Sequence, residues 1–322
     1  MENNSTPALV AISKKYLLAV YIILPILFLV FLGDIFLFNS ALLPYMGLTS
    51  MVLPLYLLFF ELPHIIASFF GFADKEYVTH YKKQLLLYLP LLLIATSILL
   101  YVNFALGVTL YLVGTVWHGL KQQTGIALIL GARPGWLHTA WTLIPVVITS
   151  LAYIYYIVPE VVPNFIVPLI SPIIFGGIIS LIVITILKMW QSAPKVRLYI
   201  LCVSSLFFFS YAFILTGYIF FAFFAVRFIH DLSAFAFYTT HDQNRNTVER
   251  KNLFYRLFTA VPLPVLILTP ALAVLFAYIT RVTTDGLAIG YVILVLMGMS
   301  HYYLESVMWK RDTPHRKYIK VV

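Results

Sequence analysis

The sequence predicts an all-α, polytopic integral membrane bundle of about ten transmembrane helices with both termini cytoplasmic, and three observations carry that expectation. Hydrophobic residues make up 62% of the 322 and charged residues only 10%, with a mean hydropathy of +0.95, far from the balance of a water-soluble domain. The apolar residues fall in long unbroken runs, roughly the 20 residues a helix needs to cross about 30 Å of hydrocarbon. The bases fall almost entirely in alternate connections between those runs. Lipid offers no partner to a backbone N–H or C=O, so a spanning segment is a helix or part of a closed barrel. Runs of this length are not the ~10-residue alternating strands of a barrel.

In chain order the spans are about 16–39, 48–72, 85–103, 106–130, 139–158, 165–187, 198–215, 217–240, 257–279 and 287–309. The first is too long for a signal-peptide core and lacks a small-residue cleavage site, so it reads as a retained helix. Lys14 and Lys15 precede it; Lys75, Lys82 and Lys83 follow the second span, and Arg133 follows the fourth. Lys188, Lys195 and Arg197 follow the sixth, and Arg245, Arg250, Lys251 and Arg256 the eighth. Lys310, Arg311, Arg316, Lys317 and Lys320 form the tail. Eighteen of the 21 bases thus lie on one side, against Arg281 alone on the other, while Lys121 and Arg227 lie inside spans. The positive-inside rule makes that side cytoplasmic. The net charge of +9 is then a product of topology, with membrane lipid as its partner and no nucleic acid. The chain reads as one membrane domain, 1–322, with cytoplasmic tails at 1–15 and 310–322, in a bacterial or archaeal cytoplasmic membrane. Pro25, Pro54, Pro63, Pro90, Pro168 and Pro172 lie within spans, where they can kink helices, and Pro63 shapes the turn at His64.

Spans 2, 4, 6, 8 and 10 run in the same direction, and four of the five carry an intramembrane histidine: His64, His118, His230 and His301. Counted from the cytoplasmic end they sit roughly 8 to 12 residues in, or ~12 to 18 Å, so they can share a plane. Each has polar company at helical spacing. Glu61 precedes His64 by three; Lys121 and Gln122 follow His118 by three and four; Arg227 precedes His230 by three, with Asp231 adjacent; Glu305 follows His301 by four. Ionisable groups in a span are costly and mark function or interhelical pairing.

Neutral imidazole is the commonest protein ligand for first-row metals, and a carboxylate on its other nitrogen fixes the tautomer. The pattern therefore predicts a metal site with His64, His118, His230 and His301 as ligands and Glu61, Asp231 and Glu305 as the acids that orient them. Lys121, Gln122 and Arg227 balance charge or hold a substrate head. The single Cys202 rules out a multi-thiolate site. Ferrous iron, mononuclear before dinuclear, suits the set, and zinc or copper suits nitrogen ligation as well. His80, His138 and His315 read as solvated loop or tail residues. His241 lies eleven residues past His230, ~16 Å further along a continuous helix, and cannot join the same ligand shell.

The order of these motifs resembles the Brp/Blh-type bacterial β-carotene cleavage dioxygenases, membrane-embedded non-haem iron enzymes. The similar segments are Leu62-Pro63-His64, His118-Gly119, Phe228-Ile229-His230 and a last-helix His301 followed by an acid and a basic, His315-containing tail. The resemblance implies that the four histidines bind iron and that O2 and a lipophilic polyene are substrates. The sequence departs from the family pattern where Ala234 replaces a second histidine after His230, where Ser300 rather than proline precedes His301, and where glycine does not follow His64. The expectation is an iron-dependent oxygenase acting on a lipophilic substrate, with carotenoid cleavage as the family's example. A His-lined metal-ion or proton transporter, or a bis-histidine haem b protein, would use the same residues. Desaturase-type histidine boxes, a GxSxG elbow, a Walker A sequence and a GxGxxG sequence are all missing.

Overall fold

Apolar runs become helices because the helix satisfies every interior backbone group from within the segment. The computed structural model describes residues 9–47, 56–157, 159–247, 249–284 and 286–322. Its helices are α1 (Lys14–Leu37), α2 (Leu57–Ala73), α3 (Lys75–His80), α4 (Gln84–Val102), α5 (Phe104–Ile129) and α6 (Trp136–Ile157). They continue with α7 (Val167–Gln191), α8 (Pro194–Leu215), α9 (Ile219–Arg245), α10 (Leu253–Leu257), α11 (Val265–Thr284) and α12 (Ala288–Met308). Among the described residues the only β pairing is an isolated parallel bridge, Ile12 with Val321. The protein is an all-α polytopic membrane bundle.

Eight helices, α1, α4, α6, α7, α8, α9, α11 and α12, are long and apolar enough to cross a membrane. The other two expected spans correspond to α2, whose expected start lies outside the described residues, and α5. The 26 residues of α5 reach about 39 Å, but His118, Lys121, Gln122 and Gln123 dilute its hydropathy. α2 and α5 are also the helices that carry His64 and His118. The expected ninth span begins later, at Val265, because Asn252 caps the separate short helix α10 with its side chain and Pro262 and Pro264 interrupt the chain before α11. Lipid-facing surface is plain on α7, where Leu169, Ile173, Phe175, Ile179, Ile182, Val183 and Ile186 are exposed. A water-soluble helix would bury that stripe; hydrocarbon solvates it.

Contacts divide the chain into two compact units. The first takes the described residues up to Lys14, those within Leu55–Ser97 and those of Asp231–Val322; the second takes those within Lys15–Pro54 and Ile98–His230. α4 and α9 each contribute residues to both.

In the first unit, Leu62, Ile66 and Phe70 of α2 pack with Leu268, Leu272, Ala273 and Ala277 of α11 and Leu304 and Met308 of α12. The alanines, with Ala67 and Ala234, let backbones approach where no hydrophobic effect drives helices together. The two chain ends are bonded to each other. Ile12 N donates to Lys320 O at 2.8 Å, Lys14 N to Val322 O at 2.7 Å, and Val322 N to Ile12 O at 3.0 Å. Asn244 of α9 donates to both Val10 O and Tyr318 O at 2.8 Å and accepts from Val10 N. These bonds hold the first described residues beside the last.

The second unit is held by polar bonds between apolar helices. Gln123 Oε1 accepts from the Tyr21 hydroxyl at 2.7 Å and the Tyr199 hydroxyl at 2.8 Å, joining α1, α5 and α8. Trp141 Nε1 donates to Ser204 Oγ at 2.9 Å, and Thr185 shares that hydroxyl at 2.8 Å. α6 and α7 come closest at Gly177, where an added Cβ would lie 2.2 Å from Ile148 Cγ2, so only glycine fits. Replacing Gln123 by leucine strands two buried phenols, each at a cost of about 1–3 kcal/mol. The expected result is a lower midpoint for thermal unfolding in detergent, with Tyr21→Phe alone lowering it less.

Candidate metal centre

Pro63 has no N–H to give the preceding turn, and the helix before it widens. Residues Leu57–Glu61 form a π-helical turn in which Leu62 N–H reaches Leu57 O, the kind of irregularity that re-aims side chains at functional positions. The turn delivers Glu61 and His64 into the interior, 8% and 2% exposed.

In the first unit His64 meets His301 of α12, which is fully buried. Their Nε2 atoms are 3.2 Å apart, with ring centroids at 4.7 Å and planes at 84°. The other ring nitrogens decide what this means. His64 Nδ1 lies 3.1 Å from Asp231 Oδ1, and Asp231 Oδ2 accepts from the Tyr56 hydroxyl. The His64–Asp231 contact is at ion-pair distance but lacks hydrogen-bond geometry, so either His64 nitrogen can carry the proton. His301 Nδ1 lies 3.0 Å from Ser68 Oγ, whose own proton goes to Ile65 O at 2.5 Å. The serine oxygen therefore accepts, and the His301 proton sits on Nδ1. His301 Nε2 thus presents a lone pair to His64 Nε2, which either donates its own proton across the pair or shares a bound cation with it. Two nitrogens bound to one ion at about 2.1 Å and about 90–109° are about 3.0–3.4 Å apart. The observed separation fits a metal ion. It also fits a proton, which makes one ring an imidazolium against Asp231.

In the second unit His118 of α5 and His230 of α9 form another edge-on pair, with centroids at 4.8 Å and planes at 78°. Gly119 keeps the space beside it, since an added Cβ would lie 3.9 Å from the His230 ring. His118 is 8% exposed and His230 7%.

The carboxylates take places that spacing alone does not give. Asp231 faces His64, not its neighbour His230, because consecutive helical residues point about 100° apart. Glu305 accepts from the Tyr238 hydroxyl and, at 3.4 Å, from Trp309 Nε1. Lys121 is exposed on its helix, with its ammonium 5.3 Å from the Trp117 ring centre. Gln122 accepts from Gln123 Nε2 at 3.2 Å. Arg227 is half-buried. Tyr56, Ser68, Tyr238 and Gln123 are the polar partners that sequence reading did not single out. Ser68 had the only visible signal, one turn beyond His64 on the same helix.

The tail histidine is not solvated. His315 is 1% exposed because the C-terminal segment folds back onto α9 and α3, where its ring stacks on His241 at 4.8 Å and on Tyr77 at 3.9 Å. Burial, then the nearby His241 and Arg245, push its pKa down to about 2, so it stays neutral. His138 is also buried, at 9% exposed.

The chain matches no protein-family model, and neither the curated proteins nor the solved structures contain a significant match to it. The site therefore rests on its own geometry.

Ser68 and Asp231 are second partners to candidate ligands, and loss of such a partner typically weakens metal affinity about 10- to 100-fold. Ser68→Ala and Asp231→Asn are each expected to do so, read by chelator competition on purified protein. Ser68→Thr, which keeps the acceptor oxygen, is expected to stay near wild type.

Proposed function

We propose that this chain is a membrane-embedded non-haem iron oxygenase acting on a lipophilic substrate in a bacterial or archaeal cytoplasmic membrane. His64 and His301 would be ligands to a ferrous ion in the first unit. The observation that carries the reading is the pair of Nε2 atoms at 3.2 Å, with the His301 proton held by Ser68 and the Asp231 carboxylate 3.1 Å from His64 Nδ1. His230 and Asp231 are consecutive residues, so one helix carries a member of the second pair and the carboxylate that orients the first.

Bound ferrous iron supplies the O2 chemistry that no side chain here provides. The chain's own residues do the rest. Ser68 fixes the His301 tautomer and Asp231 lies beside His64; Tyr56 holds Asp231, and Tyr238 with Trp309 holds Glu305. The apolar helices exclude water and admit an apolar substrate from the bilayer. The resemblance of the four histidine segments to the Brp/Blh-type enzymes favours a polyene.

A second reading, proton transport, follows from the same pair if a proton rather than a metal bridges it. Bis-histidine haem ligation fits this pair poorly, since axial nitrogens stand about 4 Å apart on opposite faces of the ring.

Metal analysis and an optical spectrum of the purified protein separate these readings. The expected result is near-stoichiometric iron without a Soret band, lost in His64→Ala and His301→Ala. A Soret band supports haem. Protein that binds no iron even after anaerobic ferrous reconstitution overturns the oxygenase reading and favours the imidazolium pair.

A further inference from the structure

A second buried cluster lies in the first unit at the Arg245 end of α9, and the proposed oxygen chemistry does not use it. Tyr77 of α3 is 1% exposed, and its hydroxyl is 2.9 Å from His241 Nε2. His241 Nδ1 is 2.9 Å from Asp242 Oδ1. Asp242 Oδ2 accepts from the Tyr255 hydroxyl and, at 3.4 Å, from Thr269 Oγ1. The proton assignments follow in order. The carboxylate draws the His241 proton to Nδ1, so Nε2 presents its lone pair to the phenol.

Two further contacts bear on the ring. The Arg245 guanidinium lies 4.9 Å from the Tyr77 ring centre, fixed by Asp74 at 2.8 Å and Glu76 at 2.5 Å. The neutral His315 ring stacks at 3.9 Å. Burial pushes the Tyr77 phenol well above its usual range, so it rests protonated. Tyr77, His241, Asp242, Tyr255 and His315 are each at most 2% exposed. A cluster this enclosed can exchange protons and electrons but not substrates.

An aromatic path leads from it towards His301. The rings of Tyr77 and His241 are 5.6 Å apart, those of His241 and Trp309 6.1 Å, and those of Trp309 and Tyr238 5.8 Å. Trp309 and Tyr238 both donate to Glu305, one helical turn from His301. We propose that Tyr77 is a redox-active tyrosine that sends one electron through Trp309 towards the metal centre, with His241 as its proton acceptor and Asp242 steadying the resulting imidazolium.

In the step, the Tyr77 O–H bond breaks, its proton forms a bond to His241 Nε2, and one electron leaves for a one-electron oxidant. Tyr77 is oxidised to a neutral phenoxyl radical; the oxidant is the iron once taken above its ferrous state, which falls by one unit. The Arg245 cation over the ring disfavours a protonated radical, so proton loss must accompany electron loss. The identity of this oxidant rests on the iron oxygenase reading; the Tyr77–His241–Asp242 triad does not.

The test uses metal-free full-length protein with a photogenerated tris-bipyridyl ruthenium(III) oxidant, read by electron paramagnetic resonance and transient absorption. The expected result is a tyrosyl radical that Tyr77→Phe abolishes. His241→Gln should slow its formation by about 100-fold, the scale of losing a positioned base. In the unaltered chain, formation should slow about twofold or more in D2O, since the proton moves with the electron. A radical that persists in Tyr77→Phe, a rate that His241→Gln leaves unchanged, or the absence of a D2O effect overturns the proposal. Iron content is measured separately, so an absent metal sinks the oxygenase reading without touching this result.

Discussion

Two buried imidazoles meet with their Nε2 atoms 3.2 Å apart in a medium that gives no solvation, and the polar groups of the first unit are arranged around that contact. The π-helical turn before Pro63 aims His64 inward. Ser68 passes its proton to a backbone carbonyl and so can only accept from His301. Asp231 places one oxygen 3.1 Å from His64 Nδ1 and accepts the Tyr56 hydroxyl with the other. Inside a membrane an unsatisfied polar group costs several kcal/mol, so each ring is kept among polar neighbours.

That chemistry has a cost in the helices that bear it. α5, which brings His118, has its hydropathy diluted by Lys121, Gln122 and Gln123. α5 offsets its polar content by turning Gln123 into an acceptor for two tyrosines from neighbouring helices. α2 does so by packing against the alanine-bearing face of α11, almost wholly out of contact with lipid. Polar helices are thus sheltered, and strongly apolar ones, α4 and α7 among them, keep most of their apolar surface outward.

The all-α class was legible because lipid imposes it residue by residue: apolar length gives the spans. The histidine pairs were legible as positions, since a buried imidazole in a span is conspicuous. Their partners were not. Asp231 adjoins His230 in sequence, yet its side chain points a third of a turn away to His64, and nothing local reveals which distant ring it serves. Tyr56 and Tyr238 were hidden among many aromatics whose hydroxyls look interfacial until packing shows their carboxylates. His315 read as a solvated tail residue because one-dimensional distance from the last span says nothing about a tail that folds back under α3.

The bonding of the two chain ends has a bearing on biogenesis. Asn244 holds carbonyls of both Val10 and Tyr318, and Val322 pairs with Ile12 and Lys14. A ribosome makes these partners more than three hundred residues apart. The first segment must therefore wait until the last helix and the stretch after it have been made before the clasp can shut.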